Sequence, residues 1–298
     1  MQIGPSRLAD AHSDIENAAF FTLGVPYDAT ASFRRGAHQG PAAIRHASYN
    51  FETLLMELAL DLEDVPVHDA GDVPEVFAPS EMVDLVDEAV SGMLGNDRVP
   101  ILLGGEHNAT EGIVRALARR HETMGVLVLD AHLDLRDEYL GEHRSHACVT
   151  RRCSEVVGLD RIAVLGVRSV SAEELEVAQD GGLAFASADR VREEGLEDVL
   201  ADLLGYLGDG PLHLSIDLDV LDPSHAPGVQ NPEPWGLTSL DLRYVLDQVA
   251  PRLIGLDIME CAPVHDGGQT AALAARLLRH AIGAMWLARV SDPALKRP

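Results

Sequence analysis

Short apolar runs recur along the chain, and each is followed by a turn with Gly, Pro or Asp and then by a longer segment with helical spacing. The apolar runs predict eight strands, at Phe20–Val25, Val65–Asp69, Pro100–Leu103, Val126–Leu129, Ile162–Leu165, Leu183–Ala186, Leu212–Asp217 and Leu253–Ile258. The intervening segments predict helices at Pro41–Leu60, Ser80–Leu94, Ala109–Arg119, Ala172–Ala178, Leu196–Leu207, Ser239–Val249 and Thr270–Ala288. This alternation is typical of a parallel sheet between two layers of helices. The sequence contains no linker-like segment or internal repeat, so it predicts one domain over residues 1–298.

Polar residues follow four of the predicted strands directly. The segment Gly104–Asn108 follows one apolar run and Asp130–Asp134 follows another, while Asp217 and Glu260 lie at the ends of two more. In open parallel sheets, ligands bind outside the carboxyl ends of the strands. We therefore expect these residues to lie together at one edge of one sheet.

Three side chains of types that bind metals, Asp130, His132 and Asp134, occupy alternate positions directly after a predicted strand. Alternate residues of an extended segment share a face, so these three are expected to point the same way. Asp217 and Asp219 repeat the spacing at the end of another predicted strand. Clustered Asp and His after two strands indicate a metal site for more than one ion.

Taken singly, most of these residues also have an ordinary structural explanation. His107 would cap the helix that follows it, and the carboxylates would belong to loops or to the turn at Asp222-Pro223. The joint pattern is harder to explain in this way, because neighbouring carboxylates at a strand end repel one another unless a cation neutralises them. The candidate ligands of two divalent ions are His107, Asp130, His132, Asp134, Asp217 and Asp219.

The chemistry of these ligands bears on the metal and on the substrate. Mostly oxygen ligands with one imidazole for each ion favour Mn(II) over zinc. The four carboxylates balance two divalent ions, so a bridging hydroxide leaves the centre negative. Such a centre suits a cationic substrate better than a phosphate ester, which argues against a two-metal phosphoesterase.

The composition is strongly acidic. There are 48 Asp and Glu against 23 Lys and Arg, which gives a formal net charge of −25, and Lys296 is the single lysine. This balance is typical of a salt-adapted, halophilic protein, in which most acidic side chains lie on a solvated surface. Nucleic-acid binding is disfavoured, because phosphate contacts need clustered Lys and Arg. With 298 residues and 46% apolar composition, the chain can bury a large core.

The cysteine and hydropathy patterns favour a soluble cytoplasmic protein. Cys148, Cys153 and Cys261 are odd in number and lack CxxC spacing, which argues against a disulfide framework and a zinc knuckle. Met1–Phe20 lacks a basic start followed by an apolar core, and no apolar run approaches the roughly 20 residues of a membrane span. We therefore expect no membrane association and no processing.

The motifs resemble those of the ureohydrolase family, the arginases and agmatinases. Matching segments lie at Ser32–Arg45, Gly104–Asn108, Asp130–Asp134, Ser215–Gly228 and around Glu260, and they span most of the chain. The resemblance implies a three-layer α/β/α sandwich with a mainly parallel eight-stranded sheet, two Mn²⁺ ions per subunit and assembly as a homotrimer or homohexamer. It assigns one ion to His107, Asp130, Asp134 and Asp217, and the other to His132, Asp130, Asp217 and Asp219.

The resemblance also implies a mechanism. A hydroxide between the two manganese ions attacks the guanidinium carbon, since two cations lower the pKa of water towards roughly 7. Asp134 orients the hydroxide and takes up its proton, and His146 delivers a proton to the departing amine. Glu260 holds the guanidinium through paired hydrogen bonds. His143, three residues before His146, is an alternative for the proton transfer.

Two further segments bear on which small cationic guanidine is the substrate. Gly166–Ser171 carries serines where arginases have an acidic stretch that contacts the α-amino group. Leu135–Tyr139 lacks the polar run that meets an α-carboxylate. Both departures favour agmatine, hydrolysed to putrescine and urea. Guanidinobutyrase, arginase and formimidoylglutamase stay open as alternatives, because these enzymes differ in such loops. A non-catalytic metal-binding homologue is the alternative from a different class.

Overall fold

The sheet expected from the sequence is present in the computed structural model, which describes residues 7–95 and 97–291. The strands are β1 (Phe20–Val25), β2 (Leu54–Leu55), β3 (Leu60–Asp61), β4 (Val67–Asp72), β5 (Val99–Gly104), β6 (Gly125–Leu129), β7 (Ile162–Val167), β8 (Ala184–Ser187), β9 (Leu212–Asp217) and β10 (Leu253–Met259). The α-helices are α1 (Gly40–Ser48), α2 (Pro79–Met93), α3 (Thr110–Ala118), α4 (Val149–Val157), α5 (Ala172–Gly181), α6 (Ala188–Glu194), α7 (Leu196–Leu207), α8 (Ser239–Val249) and α9 (Gln269–Ser291). Lys296 and the ends of the predicted 1–298 domain lie outside the described residues.

Eight strands form one sheet in the order β4-β1-β5-β10-β9-β6-β7-β8, and every neighbouring pair is parallel. The predicted α/β sandwich with an eight-stranded sheet is confirmed. Parallel neighbours end at the same edge, so β5, β10, β9 and β6 bring the residues that follow them to one place. Among the described helices, none has the length and apolar character needed to cross a membrane.

Apolar side chains cover both faces of the sheet. In β5, Ile101 and Leu103 pack into one core and Leu102 packs into the other, as the alternation of a strand requires. Helices α1 and α6 to α9 complete the first core, and α2 to α5 complete the second. Burying one large apolar side chain contributes roughly 1.5–3 kcal/mol, so two such layers hold the central strands in a well-defined position.

The prediction of a helix over Pro41–Leu60 is wrong beyond Ser48, where α1 ends. The Ser48 hydroxyl donates to the carbonyl of Arg45, a local bond that competes with continued helical bonding. The leucines that follow form the antiparallel β2-β3 hairpin. Leu55 is buried where α9 has Gly283, and a Cβ at Gly283 would lie 2.7 Å from Leu55 Cδ1. The packing of Leu55 against α9 therefore favours the hairpin over the helix that the spacing of this segment predicts.

The apolar pattern misses two helices, α4 and α6. The two helices have only nine and seven residues, which is shorter than the roughly 11–18 residues over which a helical period becomes a clear signal. A cap gives a better signal for α6, because the Ser187 hydroxyl accepts the backbone N–H of Arg190 at 3.0 Å. The other predicted elements agree with the structure to within a few residues.

Candidate metal centre

The polar segments that follow four strands meet at one edge of the sheet. Strand β5 leads into a 3-10 turn at His107–Ala109, and β6 leads into Asp130–Asp134. Strand β9 ends at Asp217 and continues into a 3-10 turn at Leu218–Val220, while Glu260 follows β10. These four strands are consecutive in the sheet, in the order β5-β10-β9-β6. The topology therefore brings the predicted ligands and Glu260 to one place.

The inner cluster consists of His107, Asp130 and Asp217, which are all buried. His107 Nδ1 lies 3.0 Å from Asp130 Oδ2 and 3.2 Å from Asp217 Oδ2. A third carboxylate oxygen, Asp134 Oδ2, lies 3.6 Å from the same nitrogen. The ligand atoms of the inner cluster lie within 4.8 Å of one another, a spacing that suits one metal ion.

The outer cluster consists of Asp130, His132 and Asp219, and its ligand atoms also lie within 4.8 Å of one another. His132 Nδ1 lies 3.4 Å from Asp130 Oδ1 and 3.1 Å from Asp219 Oδ2. Asp130 therefore turns one oxygen towards each histidine, as a carboxylate shared by two ions would. The side chain of His132 is 22% exposed, whereas that of His107 is 1% exposed.

The charges of the two clusters are not balanced by protein groups alone. Among the described residues, His107 Nδ1 and Asp130 Oδ2 have no hydrogen-bond partner. Burial raises the pKa of Asp217 well above its ordinary value, and the negative charge of Asp219 adds to this effect. Burial and the charge of Asp130 raise the pKa of Asp134 to about 7. Divalent cations offset charge of this kind, so the residues present fit metal ions.

A buried hydrogen-bond chain fixes the ring of His107. Ser215 Oγ donates to Asp257 Oδ1 at 2.6 Å, so this hydroxyl can only accept from His107 Nε2, which lies 2.9 Å away. The proton therefore belongs to Nε2, and Nδ1 is the atom left for a metal ion or a second proton. Asp257 Oδ2 lies 2.8 Å from His213 Nε2, and all these side chains are buried. The sequence carries a signal of this chain, since His213, Ser215 and Asp217 alternate with apolar residues along β9.

The ring of His132 has a more exposed partner. Its Nε2 lies 3.6 Å from Oε1 of Glu233, whose side chain is 33% exposed. The Arg168 guanidinium donates to the backbone carbonyl of Glu233 at 2.8 Å and thereby holds this segment in place. Carboxylates in such positions orient histidine ligands of metals. Sequence reasoning misses Glu233, because it lies in an irregular segment without a strand or helix period.

Asp134 and Glu260 have left-handed backbone conformations, with φ of 49° and 66°. In residues other than glycine this conformation costs roughly 1–3 kcal/mol and often occurs at functional sites. Glu260 is held by its neighbours on both sides. Its backbone N–H donates to Gly105 at 2.8 Å, Oε1 accepts the backbone N–H of His107 at 2.8 Å, and Oε2 accepts Gln230 Nε2 at 2.7 Å. The carboxylate is therefore rigidly placed.

A cavity of about 380 Å³ opens beside the two clusters. Its wall includes six of the predicted site residues, namely His132, Asp134, His146, Asp217, Asp219 and Glu260. His107 and Asp130 are not on the wall and are almost completely buried. A small molecule in the cavity can therefore contact the outer cluster and Glu260 but not the inner imidazole.

His146 lies on the cavity wall, with its ring edge-on to Tyr139 at a centroid distance of 6.0 Å. Burial lowers the pKa of His146 to about 4, and the nearby charge of His132 contributes to the shift. The imidazole is therefore neutral near pH 7. His143, the alternative proton carrier, is not on the wall. Its side chain is 57% exposed, and its Nδ1 lies 2.8 Å from the carbonyl oxygen of Asp137.

Both segments expected to distinguish substrates reach the cavity, through Arg136, Tyr139, Ser169 and Ser171. The Ser171 hydroxyl is engaged as the cap of α5, since it accepts the backbone N–H of Glu174 at 3.2 Å and donates to its Oε2 at 2.7 Å. Arg136 Nη2 lies 3.2 Å from the same carboxylate. Glu174 therefore binds the side chains of both Ser171 and Arg136 on the cavity wall.

Comparison with known proteins identifies one family. A family model described as arginase, arginase family, matches residues 10–283. An agmatinase of Bacillus cereus is 36% identical over 274 residues, which cover 90% of this chain and 92% of that protein. An N(1)-aminopropylagmatine ureohydrolase of Thermococcus kodakarensis is 38% identical, with 91% of this chain and 92% of that protein covered. The crystal structure of an agmatine ureohydrolase of Thermoplasma volcanium has a TM-score of 0.90, 35% identity and 96% coverage of both chains. The chain belongs to the arginase family.

Proposed function

We propose that this chain hydrolyses a guanidine compound to urea and an amine, with agmatine as the substrate and putrescine as the product amine. The observation that carries the proposal is the convergence of the inner and outer clusters beside one cavity whose wall also presents Glu260. Two metal sites with a fixed carboxylate beside them suit the binding and hydrolysis of a planar guanidinium. The similarity to agmatinases supports agmatine in particular.

The proposed cofactors are two Mn²⁺ ions per subunit. One ion is assigned to His107, Asp130, Asp134 and Asp217, and the other to His132, Asp130, Asp217 and Asp219. The predominance of carboxylate oxygens over nitrogen favours Mn(II). The unpartnered atoms His107 Nδ1 and Asp130 Oδ2 support the assignment, because a cation gives both of them a partner. When bound, the ions supply Lewis-acid chemistry that makes water nucleophilic near neutral pH.

Three residues of the chain have proposed roles in the reaction. The carboxylate of Asp134 lines the cavity and is placed to orient the attacking water and accept its proton. Each oxygen of Glu260 accepts one protein hydrogen bond and keeps a lone pair for a guanidinium N–H, so the carboxylate can hold the substrate through both oxygens. The neutral ring of His146 is placed to pass a proton to the departing amine nitrogen.

The charges on the cavity wall support a substrate with a cationic tail. Arg136 is paired with Glu174, which weakens its attraction for a carboxylate on the substrate. Glu233 lies on the wall beside the outer cluster, and the neighbouring His132 ring lowers its pKa, so it is ionised near pH 7. Agmatine carries an amine at the end opposite the guanidinium, and this amine is cationic near pH 7.

A guanidine with a carboxylate tail, such as guanidinobutyrate, is the second candidate substrate. Arg136 favours it, because the side chain of this residue lies on the wall and is 34% exposed. The guanidinium also stacks on the ring of Tyr139 at 5.1 Å, which fixes its orientation towards a ligand. A carboxylate that displaced Glu174 would meet a preformed partner.

A substrate panel tests the proposal. The purified protein is loaded with Mn(II) and given agmatine, N1-aminopropylagmatine, arginine, guanidinobutyrate or formiminoglutamate, in low and high salt. Urea is measured for the first four substrates and formamide for the last. We expect the highest kcat/KM with agmatine. Turnover of arginine or guanidinobutyrate but not of agmatine contradicts the choice of substrate. If no compound gives a product, the proposal that the protein is a hydrolase is wrong.

A variant of the proposed proton acceptor controls for contaminating activity in the preparation. Asp134→Asn keeps the size of the side chain but removes its basic oxygen, so most turnover should disappear while the fold remains. Asp137→Asn is the matched control, because Asp137 is 63% exposed and does not line the cavity. This control should retain the rate of the unaltered protein.

A further inference from the structure

Glu106 is a completely buried carboxyl group next to the proposed metal ligand His107, and the proposed function gives it no role. Its Oε2 accepts two hydrogen bonds from Thr30, one from the backbone N–H at 3.0 Å and one from the hydroxyl at 2.8 Å. The side-chain oxygen accepts both bonds whether or not the other oxygen, Oε1, carries a proton. The Thr30 hydroxyl therefore donates its only proton to Glu106.

This direction determines what Thr30 offers to His146. The Thr30 oxygen has only lone pairs left, and it accepts the backbone N–H of His146 at 3.1 Å. The same oxygen lies 3.2 Å from Nδ1 of the His146 ring, so Nδ1 must be the donor in that contact. A neutral imidazole has one N–H, and this leaves a lone pair on Nε2. Nε2 lies 3.3 Å from the hydroxyl of Ser32, which lines the cavity with it.

We propose that Glu106 and Thr30 are positioning residues that hold His146 in the tautomer with its proton on Nδ1. The lone pair of Nε2 then faces the cavity, where it can receive a proton and pass it on. The inference rests on the proposed function for the role of His146 alone. In that role, Nε2 takes a proton from solvent and gives it to the amine nitrogen as the C–N bond breaks and its electron pair stays on that nitrogen. The proton on Nδ1 stays beside Thr30 throughout, so the ring need not turn.

Ser145 is the competing partner of Nδ1. Its hydroxyl lies 3.4 Å from Nδ1 and also accepts the backbone N–H of Ala147 at 3.4 Å. If Ser145 donated to Nδ1, the proton of the ring would sit on Nε2 instead. The Thr30 contact is shorter and its direction is fixed by Glu106, whereas 3.4 Å is at the limit for a hydrogen bond. The tautomer of His146 therefore distinguishes the two partners.

The main test measures that tautomer by NMR on protein with isotope-labelled histidine. The His146 signal is assigned by its loss in His146→Asn. We expect the proton on Nδ1 in the unaltered protein and a shift to Nε2 in Thr30→Val, where Ser145 becomes the available partner. Thr30→Ser keeps the hydroxyl and should keep the original tautomer. The kcat of Thr30→Val should fall roughly 10- to 100-fold, part of the 10²–10⁴ that a positioned acid contributes, with KM and Mn content unchanged.

A matched control separates this contact from the loss of any buried hydroxyl. Thr22 is a buried threonine whose hydroxyl has no hydrogen-bond partner among the described residues, so Thr22→Val should leave both the tautomer and kcat unchanged. If Thr30→Val fails to fold, Glu106 provides a second pair of variants. The amide oxygen of Glu106→Gln can still accept from Thr30, whereas Glu106→Leu cannot, so only the leucine variant should shift the tautomer.

The outcomes distinguish this inference from the proposed function. A proton on Nε2 in the unaltered protein overturns the inference, as does an unshifted tautomer in Thr30→Val or, where that variant does not fold, in Glu106→Leu. A shifted tautomer with unchanged kcat also overturns it, because positioning would then be irrelevant to turnover. If no compound of the substrate panel is cleaved, the proposed function fails, and the tautomer still decides whether Glu106 and Thr30 position the ring.

Discussion

The two clusters of the proposed metal centre hold their imidazoles in different environments. In the inner cluster, the chain from His107 through Ser215 to Asp257 is completely desolvated. In the outer cluster, His132 faces the 33% exposed side chain of Glu233 across 3.6 Å. Breaking a buried hydrogen bond leaves an unsatisfied polar group and costs roughly 1–3 kcal/mol. An exposed ion pair contributes only about 0–1 kcal/mol.

The position of each partner in the fold explains the difference. Ser215 and Asp257 lie on β9 and β10, which are adjacent strands in the middle of a sheet covered on both faces. His132 and Glu233 lie beyond the strand ends and line the cavity. Loss of the second partner of a histidine ligand should therefore lower the affinity for Mn(II) and the free energy of unfolding more in the inner cluster than in the outer one.

Removal of the shared carboxylate should have the largest effect. Asp130→Ala takes one oxygen from each cluster, so neither proposed ion keeps its full set of ligands. We expect turnover to fall by more than the roughly 10- to 100-fold typical of a lost outer partner. Metal analysis should find less than about one Mn per subunit, and Mn(II) should raise the Tm of the unaltered protein but not of the variant. Two ions retained by the variant would remove the basis for treating the clusters as one centre.

The inner cluster is tested by Ser215→Ala. Without the hydroxyl, Asp257 loses a donor and His107 Nε2 loses its acceptor, so the free energy of unfolding should fall by about 1–3 kcal/mol. Affinity for Mn(II) should fall roughly 10- to 100-fold, because the His107 ring is no longer held in one orientation. Denaturant unfolding and equilibrium dialysis with Mn(II) measure the two quantities.

The matched control for this variant is Thr110→Val. The Thr110 hydroxyl is buried 3.3 Å from Ser215 Oγ but does not lie between His107 and Asp257. Its loss should change the affinity for Mn(II) by less than about twofold. An equal loss in both variants would mean that general packing around β9, rather than the hydrogen-bond chain, supports the inner imidazole.

Features that depend on local patterns can be predicted from the sequence, whereas features that depend on long-range contacts cannot. The strand predicted at Leu212–Asp217 agrees with β9 at both ends and has Asp217 as its last residue. The partners of the histidines depend on long-range contacts instead. Thr30 and His146 are 116 positions apart, and Glu260 and His107 are 153 positions apart. No local period links such residues, so the contacts of Thr30, Glu106 and Glu233 become known only from the three-dimensional structure.

A smaller effect is expected at the edge of the outer cluster. Glu233→Gln removes the charge that faces His132 but keeps the shape of the side chain. Because the group is partly exposed, affinity for Mn(II) should fall by roughly tenfold at most, with no measurable change in the free energy of unfolding. The control is Glu155→Gln, whose side chain is 51% exposed and does not line the cavity. A loss as large as that of Ser215→Ala would contradict the difference between the clusters.

The smallest expected effect is the salt dependence of Mn(II) affinity in Glu233→Gln and in Ser215→Ala. Raising the ionic strength to about 1 M shortens the Debye length from about 8–10 Å to about 3 Å, which screens exposed charges but hardly affects buried ones. The ratio of Mn(II) affinities between Glu233→Gln and the unaltered protein should therefore shrink to less than about twofold in about 1 M KCl. The same ratio for Ser215→Ala should not change, because Ser215 and Asp257 are completely buried. Parallel responses of the two variants would show that solvent exposure is not what separates the inner from the outer imidazole.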